Sequence, residues 1–113
     1  MNGWWARIWS TPGWQKIGAF ALDRSAARNT IVLGRDNDFR LIKLRSRGAD
    51  VDVHRWTLAL EDGMIVDLSV NRLPEGTESR PITITGRRLT GVAVEYRSRH
   101  DTWLGRLEVW AQR

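Results

Sequence analysis

Arginine is the residue type in this chain whose numbers and placement best suit chemistry. Arg45, Arg47, Arg97 and Arg99 fall on the outward parity of strand-like segments, and Arg87 and Arg88 stand in a turn beside one. A guanidinium forks onto carboxylate, sulfate or phosphate and also stacks on aromatic rings. These six are therefore the candidate anion contacts. Cross-strand Arg–Glu pairing, with Glu95 and Glu108 on the same parity, explains the pattern without a ligand, and the ordinary alternation of charge on exposed sheet faces favours it. Trp56 and Trp103 are candidate stacking platforms for a sugar ring, although the alignment of Trp56 with Leu58 and Leu60 favours core packing. Trp4, Trp5 and Trp9 cluster with Ile8 on one side of a short helical turn, as a partner-binding patch or as a cover over one end of the domain.

Catalytic constellations do not assemble from the other polar residues. His54 and His100 lie in different contexts, and the single His100-Asp101 pair lacks further ligands at metal spacing. Ser79 and Ser98 lack the strand–turn–helix setting of a nucleophile elbow. Glu61, Asp62, Asp67, Glu75 and Glu78 are close in sequence, but glycoside hydrolysis needs two carboxylates converging across a cleft. Asp36 and Asp38 lack the spaced ligands and glycine of a calcium loop, and read as a turn with Asx hydrogen bonds. Gly86 and Gly91 bracket Arg87-Arg88 with no following helix to receive a phosphate. Cysteine is absent, which removes disulfides, thiolate metal sites and cysteine nucleophiles. No catalytic residue, metal ligand or cofactor is assigned, and the chain is read as a non-enzyme.

The elements that must position the arginines are strands. At 113 residues, with 42% hydrophobic and 27% charged residues, the chain is long enough for one domain with its own core. Its formal net charge of +5 rests on arginine, since Lys16 and Lys43 are its lysines. Short apolar alternations recur between polar turns: Trp14–Leu22, Asn29–Leu33, Phe39–Arg47, Val51–Leu60, Met64–Val70 and Thr102–Ala111. In the first, Phe20 and Leu22 share one face, and Ile17, Ala19 and Ala21 the other. Ser79–Arg99 reads as a β-hairpin, with Ile82 and Ile84 on one arm and Val92, Val94 and Tyr96 on the other. Within Val51–Leu60 the phase slips, because Val51 and Val53 share one parity and Trp56, Leu58 and Leu60 the opposite one. That slip predicts a β-bulge near His54–Arg55. Glu61-Asp62-Gly63 predicts a hairpin turn.

About eight strands with no long helical period predict an all-β fold, an antiparallel β-sandwich over residues 14–113, with a small closed barrel as the alternative. Residues 1–13 stand apart as a tryptophan-rich N-terminal segment. No apolar run approaches the length of a membrane span, and the N-terminal segment is too short for the apolar core of a secretory signal. The chain is thus cytoplasmic, or a mature form whose export signal is missing.

Phe39-Arg40 with Ile42 and Leu44, Asp62-Gly63, Ser79-Arg80 with Ile82, Ile84 and Gly86, Arg88 with Val92, and Tyr96-Arg97-Ser98 together resemble a family of small bacterial exported β-proteins catalogued as a domain of unknown function. The resemblance runs over roughly residues 29–112. It implies a secreted or periplasmic β-sandwich and adds no catalytic residues.

Together these readings point to a non-catalytic binding or interaction module for an anionic glycan, an envelope polymer or a protein partner. Two alternatives stay open. One is a small-barrel nucleic-acid binder using stacking and arginines; the other is a structural or assembly subunit joined through Trp4, Trp5 and Trp9 or an open edge strand.

Overall fold

The computed structural model describes residues 13–22, 27–34, 38–63, 65–68, 72–84, 88–98 and 105–113. Among them run nine strands: β1 (Trp14–Ala21), β2 (Ala27–Val32), β3 (Leu41–Arg47), β4 (Val51–Leu60), β5 (Ile65–Leu68), β6 (Arg72–Leu73), β7 (Ile82–Thr83), β8 (Leu89–Ser98) and β9 (Arg106–Gln112). They form two antiparallel sheets. Sheet A has the order β1-β9-β3-β7, and sheet B the order β2-β8-β4-β5, with β6 pairing the start of β4 beside β5. The sandwich reading holds. The bounds of β1, β3 and β4 follow the alternating segments to within two residues.

The two inner faces meet in one core. Ile42 and Leu44 of β3 and Leu107 and Val109 of β9 face Val51, Val53, Trp56 and Leu58 of β4 and Val92, Val94 and Tyr96 of β8, all buried. Such alternation follows from the period of two in a strand, which sends every second side chain inward.

Strand β4 keeps Val51 and Val53 buried together with Trp56, Leu58 and Leu60 by means of a bulge. Val53 pairs with Tyr96 and Arg55 with Glu95, which leaves His54 as the extra residue. This is the irregularity that the parity slip requires. A second one follows where Ala59 pairs with Gly91 and Leu60 with Leu89. There the extra residue, Thr90, donates its hydroxyl to the Ala59 carbonyl at 3.1 Å.

Two expectations need correction. Ser79–Arg99 does not fold back as a hairpin. Strand β7 pairs with β3 in sheet A, whereas β8 pairs with β2 and β4 in sheet B. Alternation specifies which face of a strand is buried, not which strand lies beside it. In β1, Ile17 joins Phe20 against the core instead of facing away. Lys16 pairs with Trp110 and Gly18 with Val109, so Ile17 is the extra residue of a third bulge.

Backbone hydrogen bonds extend the β7 edge of sheet A. Ser79 N–H donates to Leu44 O at 2.8 Å, Ser46 N–H to Thr77 O at 3.0 Å, and Ile84 N–H to Arg40 O at 2.6 Å. The Ser79 hydroxyl accepts from Leu44 N–H at 2.8 Å, and the Ser46 hydroxyl donates to Pro74 O at 2.5 Å. At the opposite side Tyr96 ties the sheets together. Its hydroxyl accepts from the Asn29 side-chain amide of β2 at 2.6 Å and donates to Ala21 O of β1 at 3.1 Å. Its ring stacks on Phe20 with centroids 6.1 Å apart.

Candidate functional site

The outer face of sheet A gathers charge in three rows. Strand β9 runs between β1 and β3, and its outward residues are Arg106, Glu108 and Trp110. Trp110 lies between Lys16 of β1 and Lys43 of β3 in register, so the two lysines of the chain flank one indole. Glu108 lies between Ala19 and Arg45, and Arg106 between Ala21 and Arg47. Exposed alanines on β1 leave the carboxylate open to longer side chains reaching over it.

Glu108 is the anchor of this surface. It is 2% exposed although it sits on an outer face. A buried carboxylate must be paired, and three donors meet this one: Trp110 Nε1 at 3.0 Å, Lys16 Nζ at 3.5 Å and Arg47 Nε at 3.5 Å. Lys16 and Arg47 remain about half exposed, at 48% and 51% of their side chains. The carboxylate therefore holds two cations in place while leaving their outer surfaces to solvent. Beside it, Lys43 lies over the Trp14 ring at 4.0 Å and pairs with Glu78 at 3.2 Å. Arg45 sits between Glu108 and Glu78 in register, and its Nε is buried without a hydrogen-bond acceptor. Among the described residues the face thus carries Lys16, Lys43, Arg45, Arg47 and Arg106 against Glu78 and Glu108.

Of the six arginines singled out above, this face brings together Arg45 and Arg47. Arg97 and Arg88 belong to sheet B, so no single stripe runs through all of them. Arg97 lies in register with Asp52, which also pairs with Arg72 at 3.4 Å. Arg88 is exposed at the start of β8, where its backbone N–H meets Glu61 Oε1 at 3.3 Å and its carbonyl accepts from Glu61 N–H at 2.9 Å. Arg87 and Arg99 lie outside the described residues, as do Trp103, Trp4, Trp5 and Trp9. Trp56 has no exposed surface. It is a core residue and offers no ring to a ligand, because the bulge at His54 turns it inward with Leu58 and Leu60.

Lys16, Lys43, Trp14 and Trp110 were not among the candidate site residues, whereas Glu108 was expected as a partner in cross-strand Arg–Glu pairing, and its ion pair with Arg47 is one such contact. Period-two parity does put Glu108 and Trp110 on one face; which strands flank them depends on pairings between distant segments. Among the described residues, no group of three or more His, Asp or Glu side chains could hold a metal ion, and no helix is long and apolar enough to cross a membrane. No family model, no curated protein and no solved structure matches this chain.

Proposed function

We propose that this protein is a non-catalytic binding module that takes an anionic glycan polymer on the outer face of sheet A. The observation that supports this reading is the arrangement around Glu108, a buried carboxylate that fixes half-exposed Lys16 and Arg47 on either side of it. Cations already held in position lose little side-chain freedom on binding, which favours affinity. Trp110 and Trp14, partly exposed between and beside the lysines, supply flat apolar surface for sugar rings. The resemblance to exported bacterial β-proteins is consistent with an envelope polymer as the partner.

The test is a titration of the protein with an acidic polysaccharide, single-stranded DNA and a neutral oligosaccharide at two salt concentrations. The acidic polysaccharide binds, and binding weakens as salt rises because exposed charges are screened. Lys16→Ala combined with Arg47→Ala lowers its affinity by roughly tenfold, about 1.4 kcal/mol, with circular dichroism confirming the fold. Equal binding of the neutral oligosaccharide, or an unchanged affinity in the double variant, overturns the proposal. Tighter binding of DNA than of polysaccharide transfers the same surface to a nucleic-acid role.

A further inference from the structure

The outer face of sheet B differs in kind from that of sheet A. Its rows grade from charged to apolar along the strands. Arg28, Glu95 and Arg55 form one row across β2, β8 and β4, followed by Thr30, Ala93 and Thr57, and then by Val32, Gly91, Ala59 and Ile65. Small residues in the two middle strands leave a depression of about 280 Å³ lined by Arg28, Arg55, Thr57, Ile65, Ala93 and Glu95. In the next row Gly91 leaves little room for a side chain, since a Cβ there would sit 3.3 Å from Ile31 O and 3.8 Å from the Ala59 methyl.

A second observation falls on the same face. Among the described residues, the exposed large hydrophobics are Val32 at 86% and Ile65 at 58%. They stand at the two edges of one row, about 14 Å apart over three strand spacings. Single exposed hydrophobics are ordinary, but Ile65 lines the trough together with Ala93, and Val32 stands in the same row as Ile65 at the opposite edge of the sheet. The far end is closed by the Arg28–Glu95–Arg55 row. Arg28 lies on the edge strand β2, with Glu95 as its one acidic neighbour in register. The described lining residues hold two guanidiniums to one carboxylate.

We infer that this trough is a binding site for a small monocarboxylate with an apolar tail, its carboxylate at Arg28 and its tail against Ala93 and Ile65. The volume lies just below the usual range of ligand pockets, about 300 to 1,000 Å³, so the ligand is short. The inference stands apart from the polymer reading, since the two faces point in opposite directions from the core.

The test is an NMR amide titration of the full chain with octanoate, octanol and octylammonium. Octanoate gives saturable shifts centred on Arg28, Thr57, Ile65 and Ala93, octanol binds at least about fivefold more weakly, and octylammonium does not bind there. Arg28→Glu, at an exposed position, weakens octanoate by about tenfold. Glu95→Gln tightens it by removing the opposing charge. Ala93→Phe, which fills the floor, abolishes it. Shifts centred elsewhere, no saturation with octanoate, equal binding of octanol or octylammonium, or wild-type affinity in Arg28→Glu each overturn the inference.

Discussion

Trp56 has no exposed surface, and its indole N–H meets no acceptor. The ring and the N–H act in opposite directions. Burial of an aromatic side chain stabilises the fold, and truncating it to alanine costs about 3–5 kcal/mol. A donor left unsatisfied in the core costs about 1–3 kcal/mol relative to a satisfied one. Trp56→Phe removes the unpaired donor along with part of the ring, so the two changes offset each other. Expected urea unfolding therefore shows Trp56→Phe within about 1 kcal/mol of the parent and Trp56→Ala several kcal/mol below it. A loss above about 2 kcal/mol in Trp56→Phe shows that ring volume outweighs the N–H at this site. Glu108 presents the opposite situation: a buried polar group whose charge is met by three donors, and whose neighbours rather than itself face solvent.

Among the elements, β4 shows most clearly how one residue sets a whole surface. His54 is exposed and is the residue by which β4 exceeds β8 in their ladder. His54→Ala keeps the bulge, and its stability stays within about 0.5 kcal/mol, as for most surface changes. Deleting His54 restores a strict period of two, which must turn either Val51 and Val53 or Trp56, Leu58 and Leu60 to solvent. The deletion variant is expected to lose its cooperative urea transition; retention of a parent-like transition would show that the bulge migrates along the strand. This bulge was legible in the sequence because a parity slip is a local signal. So was the turn at Glu61-Asp62-Gly63, where Gly63 takes a φ of 85° and donates to Leu60 O at 2.9 Å. The placement of β7 was not legible, because Ile82 and Ile84 alternate equally well beside β8 or beside β3. The same limit hid the sheet A site. Arg45 and Arg47 could be picked by residue type, but Lys16 and Trp110 join them through the pairing of the first strand with the last.

At the scale of the whole molecule, β9 is the strand on which sheet A depends, since it lies between β1 and β3 and carries Glu108 and Trp110 outward. Sheet B has its counterpart in β8, between β2 and β4, carrying Ala93 and Glu95 outward. Each proposed site is thus floored by an interior strand, whose backbone is hydrogen-bonded on both sides, and rimmed by neighbouring strands. Rigid floors of this kind hold site geometry better than loops do. The two sites face away from each other across a core about 10 Å thick, the usual spacing of stacked sheets.

Trp110 and Trp14 also give the sandwich an optical polarity. Among the described residues, both partly exposed indoles belong to sheet A, while Trp56 lies sealed beneath sheet B. Each layer therefore carries a different kind of reporter: indoles that a bound polymer would touch, and a buried one shielded from any ligand in the opposite trough. With fluorine-labelled tryptophan, the resonances of Trp14 and Trp110 are expected to move with acidic polysaccharide and to stay still with octanoate. Movement of both by octanoate would put the carboxylate on sheet A and count against the trough.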